Sequence, residues 1–491
     1  MMLLAVSIVF YIMGGPEAVP FIFFTSFTIW LGAKEIGKIW EKQKQFLAEG
    51  NLSSEEKKSR RERDKKKARW ILLLVLIVNL AILINSKLLN YLSVRLARPD
   101  LAASIIVPLG ISYYTFSTVG YLLDVYWKRY EFETNYFRFL LYAIYYPHIV
   151  QGPISRYNKL GLELKKDLKV SSDNIFKGAQ LILWGYFKKL VIADRLSIFT
   201  TQVFSDTGHN GTIYLVAIIF DVFQIYTDFS GYMDIVRGVS EMFGIELERN
   251  FNHPFFSKSV PEFWRRWHMS LGSWFKDYVY YPLTICKPIK KLKKWSDKHL
   301  PELLAKLLVT GIPVMITWIS TGLWHGTGAG YLAWGIYYGG LITISVVGAD
   351  LFMKFNHALH IKTDCFSFQA LRIVRTFCVF AGGRMLTKGL SLTQALMMVK
   401  QLFCAPSIST WFDGRLLQFG LDKTNMIYAV LCILFLWAVS VLQVKYNIRA
   451  KLAEQNLPIR WAVFLIGFFV IILFGVYGSG YSTAGFAYQQ F

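Results

Sequence analysis

Charge is scarce in this chain. Asp, Glu, Lys and Arg together make up 18% of it, where a soluble protein carries about 25%, and no stretch reads as a soluble domain. Cysteine is scarce as well. Cys286, Cys365, Cys378, Cys404 and Cys432 are scattered without a C-x-x-C pair, which argues against a disulfide framework or a structural zinc site and leaves five small core residues. There is no G-x-S-x-G elbow, no H-E-x-x-H pair, no Walker A loop and no H-x-x-x-x-D box, so the usual soluble hydrolase, zinc-protease and nucleotide chemistries find no residues to carry them. Gly326-Thr327-Gly328-Ala329-Gly330 lacks dinucleotide spacing and reads as close packing of two helices at a turn. No fixed-period or inverted repeat is visible, which weighs against a secondary transporter. Met1–Met13 is apolar but has neither the basic region nor the small-residue site of a signal peptide; it reads as the tail of a membrane helix.

What the chain has in abundance is apolar surface: 54% hydrophobic and 16% aromatic residues over 491 positions. The fold class this predicts is an all-α polytopic membrane protein. Apolar runs near the length of a bilayer span fall at 2–13, 17–36, 70–90, 102–126, 136–152, 176–196, 211–238, 304–324, 329–348, 368–386, 424–445 and 459–477, eleven or twelve in all, within a single membrane-embedded domain over 1–491. The charged interruption 37–69 is expected to form a cytoplasmic helical hairpin or a mobile loop. The net charge of +22 sits in short loops, including Lys57–Lys67, Lys188-Lys189 and Lys287–Lys294. It is read as a set of topology determinants beside anionic lipid and not as a nucleic-acid surface.

Two segments depart from simple spans. Tyr145-Tyr146-Pro147-His148-Ile149-Val150-Gln151-Gly152-Pro153 places two prolines and polar groups in an apolar run, and such backbone survives there only inside protein or along a wet cavity. Over 259–283, Ser259 and Glu262 have capping-box spacing with Pro261 in the first turn. Phe263, Trp264, Trp267, Leu271, Trp274, Phe275 and Tyr278 then mark one face of an amphipathic interfacial helix, with His268 at the edge of the aromatic arc beside Trp264 and Phe275.

Polar side chains within apolar stretches are costly unless paired or used. His325, in Gly322-Leu323-Trp324-His325-Gly326, and His268, in Trp264-Arg265-Arg266-Trp267-His268, are therefore the leading candidates. The plainer readings are a core histidine bonded to a carbonyl and a snorkelling interfacial ring. A neutral imidazole takes a hydroxyl proton directly, with an ordinary pKa near 6.5, which suits acyl transfer to an alcohol. Asp228 and Asp234, near Ser230, are expected to form structural ion pairs, to meet Arg265 or Arg266, or to orient a histidine. Asn250, Asn252 and His253 follow in a loop. His357, His360, Asp364 and Cys365 have metal-ligand chemistry but lie in a polar loop, and no metal is expected.

Four segments appear in order: Tyr226-Thr227-Asp228-Phe229-Ser230-Gly231-Tyr232-Met233-Asp234, Asn250-Phe251-Asn252-His253-Pro254-Phe255, Phe263-Trp264-Arg265-Arg266-Trp267-His268-Met269-Ser270-Leu271 and Gly322-Leu323-Trp324-His325-Gly326. With them the chain resembles the membrane-bound O-acyltransferase family, in the bacterial branch of alginate O-acetyltransferase-like proteins and D-alanyl transferases of teichoic acids. Gln151-Gly152-Pro153-Ile154-Ser155-Arg156-Tyr157 and the closing Phe486-Ala487-Tyr488-Gln489-Gln490-Phe491 add to the likeness, which runs from about residue 8 to the end.

Relatives usually begin with a further membrane segment ahead of the one that opens this chain, so either the start is misassigned or that first helix is lost. The resemblance implies a ring of helices around a central funnel. It implies catalytic roles for His325 and His268, with Trp324, Trp264, Arg265, Arg266, Asp228, Ser230, Asp234 and Asn252 supporting the site. The donor it implies is a cytoplasmic thioester, acetyl-CoA or an acyl carrier protein, used as substrate with no bound cofactor. The acceptor is an envelope polysaccharide, reached directly or through an extracytoplasmic partner enzyme, and the location is the bacterial cytoplasmic membrane among its lipids. D-alanyl transfer from a carrier protein to teichoic acid is the rival within the family; a transporter or channel is the rival from another class.

Overall fold

The computed structural model describes residues 2–49, 52–95, 108–389 and 391–477. The start of the expected span 102–126 and the closing segment 486–491 lie outside the described residues. Helix dominates, and no strand occurs among the described residues. Among the described residues, seven helices are long and apolar enough to cross a membrane: Pro16–Ala48, Ser54–Asn85, Gly211–Met242, Glu302–His325, Ala329–Val347, Lys423–Lys445 and Leu457–Phe474. Their outward faces carry Leu74, Ile77, Ile466 and Leu473, each 64–72% exposed. Water does not tolerate so continuous an apolar surface, whereas lipid requires it. The protein is a polytopic all-α membrane protein. Its five cysteines depart from expectation: three are exposed and two half-buried, so none is a core residue.

The chain forms two compact units, one from residues up to Asn174 with Ser240–Glu248, the other from Ile175–Val239 with Arg249 onward. In the first, α1 (Met2–Met13), α2 (Val19–Ala48) and α3 (Ser54–Arg95) are followed by α4 (Ile111–Tyr126) and α5 (Tyr136–Ile144). The charged segment 37–69 is a helical hairpin, because α2 runs on to Ala48 and α3 starts at Ser54. A reciprocal capping box starts α3: Glu56 N–H donates to Ser53 Oγ at 3.2 Å and Ser53 N–H donates to Glu56 Oε2 at 2.8 Å. Gln43 Nε2 donates to the buried Asp64, which Arg60 also holds, tying the two polar arms together. The run 136–152 is helical only as far as Ile144, then irregular and buried, as its prolines require. Tyr142 Oη donates to the Ser117 and Ser155 carbonyls at 3.0 and 2.8 Å, which supplies bonds that broken backbone needs in an apolar setting.

In the second unit, α6 (Ser172–Tyr186) passes through a wide π-helical turn, Phe187–Ala193, into α7 (Asp194–Phe204) and then α8 (Gly211–Met242). Four glycines set the distance between α6 and α8. A methyl group on Gly185 would lie 2.6 Å from the Gly231 carbonyl, and one on Gly238 would lie 2.5 Å from the Gly178 carbonyl. Both pairs repeat at a spacing of seven residues, so the backbones touch along one seam, as small residues permit in membranes.

The expected interfacial helix 259–283 is instead broken once: α9 (Val260–Arg266) is separated by extended Trp267 and left-handed His268 from α10 (Met269–Phe275), which continues through a π-helical turn, Lys276–Tyr280, to Thr284. Ser259 Oγ caps α9 by accepting from Glu262 N–H at 3.3 Å. Glu262 reaches back one residue further than the capping box requires, to Lys258 N–H. The basic helix α11 (Lys287–His299) leads to α12 (Glu302–His325), which turns at Gly326–Gly328 into α13 (Ala329–Val347). A methyl group on Gly322 would lie 2.4 Å from the Tyr331 carbonyl and one on Gly335 would lie 2.7 Å from the Trp318 carbonyl. The glycines of this segment therefore serve close packing, as read from the 326–330 spacing, and not flexibility around His325. Helices α14 (Phe366–Met385), α15 (Lys423–Lys445) and α16 (Leu457–Phe474) complete the elements used below.

Candidate active site

The site begins with a break in a helix. At the end of α9 the chain becomes extended at Trp267 (φ −108°, ψ 131°) and then left-handed at His268 (φ 45°, ψ 54°) before α10 starts. A left-handed conformation is unfavourable for a residue with a Cβ by roughly 1–2 kcal/mol, so the surroundings must enforce it. The loop 250–252 does so. Asn252 N–H donates to the Arg266 carbonyl at 2.9 Å, and Met269 N–H donates to the Asn250 carbonyl at 3.0 Å. Asn250 Oδ1 accepts from Ser270 N–H at 2.9 Å. His268 occupies the N-cap position of α10 without capping it through its side chain, and Asn250 caps that helix from a distant part of the chain. Asn250, 1% exposed, was not among the expected site residues, and expected Asn252 contributes its backbone while its side chain is exposed.

The reversed backbone aims His268 away from the aromatic arc of its own helix. Its ring meets Phe229 of α8 edge-on at 4.7 Å between centroids and Trp324 of α12 at 6.0 Å, not Trp264 and Phe275 as the uninterrupted helix predicts. Trp324 in turn meets His325 at 4.9 Å, and His325 meets Trp334 of α13 at 5.2 Å. Trp334 packs on Trp264 at 5.4 Å, and Trp264 also contacts Trp318 at 4.9 Å and Tyr338 at 4.8 Å. Two histidines 57 positions apart in sequence thus pack against the same indole, inside a continuous aromatic wall drawn from α8, α9, α12 and α13.

Their environments differ. His268 is 3% exposed, and burial pushes its imidazole down to about 3, since a charged ring is disfavoured away from water. His325 is half-buried at the C-terminal end of α12.

Asp228 and Asp234 are ion-paired, as expected, but their partners are not Arg265 and Arg266. Lys189 Nζ lies 2.7 Å from Asp228 and 2.8 Å from Asp194. Lys188 Nζ lies 2.7 Å from Asp234 and donates to Ser230 Oγ at 3.0 Å, while Arg237 lies 3.4 Å from Asp234. These two lysines were read as a cytoplasmic topology signal, and that reading is overturned: they are 3% and 5% exposed. The π-helical turn and the touching backbones of α6 and α8 bring them to the carboxylates. Arg266 pairs with Glu262 at 2.6 Å, and Arg265 is exposed. No cluster of three or more His, Cys, Asp or Glu residues with metal-binding geometry occurs among the described residues, and His357, His360, Asp364 and Cys365 form none.

The importance of the Asn250 clamp is testable. Asn250→Ala is expected to lose about 0.5–2 kcal/mol of stability, the range of a removed N-cap, and to slow any activity that depends on His268. Asn250→Asp, which keeps the acceptor for Ser270 N–H, is expected to lose less of both. Thermal melting in detergent and a turnover assay read the two effects. Equal losses in the two variants would remove the capping role.

Residues 132–297 match the model of the membrane-bound O-acyltransferase family, a stretch that contains the Asp228–Asp234 segment, the 250–252 loop and His268. The chain is 30% identical over 350 residues to the probable alginate O-acetylase of Pseudomonas syringae pv. tomato, covering 70% of this chain and 62% of that protein. It is 29% identical over 238 residues to a teichoic acid D-alanyltransferase of Bacillus subtilis, covering 48% of this chain and 58% of that protein. It is 27% identical over 283 residues to a peptidoglycan O-acetyltransferase of Helicobacter pylori, covering 52% of this chain and 50% of that protein. The chain thus spans between half and two thirds of the length of these relatives. Over residues 132–297 the chain is thus similar to the membrane-bound O-acyltransferase family.

Proposed function

We propose that the protein is an O-acyltransferase of the bacterial cytoplasmic membrane that passes an acyl group, acetyl in the first instance, from a cytoplasmic thioester toward hydroxyls of an envelope polysaccharide. The observation that carries this reading is the contact of both His268 and His325 with the Trp324 indole. In the reaction, His325 accepts the proton of the acceptor hydroxyl as its oxygen forms a bond to the thioester carbonyl carbon. The carbon–sulfur bond then breaks, and the proton passes to the departing thiolate. Buried, neutral His268 holds the donor and polarises its carbonyl. The aromatic wall keeps water from competing as acceptor. Trp324 and Trp264 shape that wall, while Ser230, Asp228 and Asp234 hold α8 against the π-helical turn, which keeps Phe229 behind His268.

The donor is either acetyl-CoA or a small acyl carrier protein. Helix α11, Lys287-Pro288-Ile289-Lys290-Lys291-Leu292-Lys293-Lys294, is basic and largely exposed, and would attract the phosphates of the first or the acidic surface of the second. The likeness to a D-alanyltransferase keeps D-alanyl transfer to teichoic acid as the second reading. The longer match, to an alginate O-acetylase, favours acetate. Transfer through an extracytoplasmic partner enzyme fits equally with a membrane site that delivers the acyl group only to the outer face.

Mass spectrometry of the envelope polysaccharides from cells with and without the gene tests the proposal. We expect acetyl esters to disappear with the gene. Loss of D-alanyl esters instead would shift the reading to the second one, and an unchanged ester content would overturn both.

A further inference from the structure

One buried charge cluster lies outside both the histidine pair and the Lys188–Lys189 centre. Asp221 of α8 is 1% exposed within an apolar run, where a carboxylate is costly unless paired. Its two oxygens accept from Arg384 Nε at 2.9 Å and from Arg384 Nη2 at 3.2 Å. Such a two-point grip fixes the plane of the guanidinium as well as its distance. Lys388 pairs with the same carboxylate and lies over the Phe204 ring of α7 at 5.2 Å. Arg384 belongs to the last turn of α14 and Lys388 to the corner that follows. In that corner the Thr387 and Lys388 N–H groups donate to the Arg384 and Met385 carbonyls at 3.0 and 3.1 Å.

The corner meets the turn beyond His325. A methyl group on Gly330, in the first turn of α13, would collide with the Leu386 carbonyl. Tyr331, the next residue, lies within Coulombic reach of Arg384 and Asp221. Its ring leaves no room for a methyl group on Gly326, and its carbonyl leaves none for one on Gly322. Those two glycines flank Leu323-Trp324-His325. Ahead of the corner, Tyr338 of α13 donates to the Phe380 carbonyl of α14 at 3.1 Å, and Tyr337 donates to the Val379 carbonyl at 3.0 Å. Direct contacts therefore run from the Asp221 carboxylate through Arg384 and the Leu386 carbonyl to Gly330, Tyr331 and Gly326.

Stability alone does not call for three charges in an apolar setting, because well-packed apolar side chains of similar volume serve as well or better. What the charges supply, and apolar packing does not, is direction. We propose that Asp221, acting through Arg384 and Lys388, is a positioning residue for His325: it fixes the 384–388 corner against α8, and the corner fixes the turn that aims the imidazole. The role of His325 as base rests on the acyl-transfer reading; the fixing of its turn does not.

The test compares full-length protein in detergent with Asp221→Leu/Arg384→Met/Lys388→Met, which removes the whole ion group and strands no charge. The triple variant is expected to melt near the wild type. Its kcat for acyl transfer should fall about a hundredfold with KM little changed, the scale of a displacement of about 1 Å near reacting groups. Arg384→Lys keeps the charge, gives up the two-point grip and should lie between the two; it carries the same readouts if the triple variant misfolds. Labelling with diethylpyrocarbonate, followed residue by residue by mass spectrometry, reads the turn without any acyl donor. His325 should react faster in the variants than in the wild type, while exposed His299 of α11 keeps its rate. Wild-type kcat in a folded triple variant overturns the proposal, and so does wild-type labelling of His325. Absence of acyl transfer in the wild type would sink the acyl-transfer reading instead, and the labelling comparison would still decide whether the ion group holds the turn.

Discussion

His325→Ala is expected to lower acyl transfer in isolated membranes by about 100-fold to 10,000-fold, the range of a lost general base, while leaving the protein folded. The side chain is half-buried at the last position of α12, next to a turn where Gly322 and Gly326 pack closely on Tyr331. Removing it opens a small space between Trp324 and Trp334 but leaves no buried charge. A melting temperature close to wild type is therefore the expected companion of the lost rate. The pH profile separates the two histidines. A base works deprotonated, so activity falls as pH drops through its pKa. His268, held at about 3 by burial, stays neutral through the whole working range and contributes no limb there. His268→Asn, which suits the left-handed backbone and cannot titrate, is expected to lose rate yet keep the acid limb of the profile. Near-normal transfer in His325→Ala, or disappearance of the acid limb in His268→Asn, would contradict the assigned roles.

Much of this site was legible in the sequence because apolar surroundings make polar residues conspicuous. His325 and His268 stood out on cost alone, and the prolines of 145–153 announced broken backbone. The capping residues Ser259 and Pro261 located the start of α9. What the sequence concealed depended on distant contacts. Nothing local in Trp267-His268-Met269 signals a helix break, because the apolar spacing continues across it; the loop at Asn250 imposes the left-handed turn from outside. Lys188-Lys189 looked like an ordinary basic loop because charge next to an apolar run usually faces water. The signal that would have corrected it was present, in the seven-residue spacing of Gly178 with Gly185 and of Gly231 with Gly238, which marks two backbones in contact and brings the lysines to Asp228 and Asp234.

That buried charge centre leads to the second large expected effect. Lys189 faces two carboxylates, Asp228 and Asp194, with side chains 6% and 12% exposed. Lys189→Met removes the cation from both and is expected to destabilise the protein by about 3–5 kcal/mol, the cost of leaving buried charge uncompensated. Lys188→Met is expected to cost less, because Arg237 remains near Asp234. The loss should come from stranded charge and not from missing packing volume, since Met nearly fills the space of Lys. Neutralising the partners tests this: Lys189→Met/Asp228→Asn/Asp194→Asn should recover most of the stability lost in the single variant, because replacing a complete buried ion group is far cheaper than breaking one. Thermal melting in detergent at pH 7, read with the yield of monodisperse protein, orders the three variants. If Lys189→Met melts with the wild type, the pairs contribute little, and the contact between α6 and α8 rests on its glycines alone.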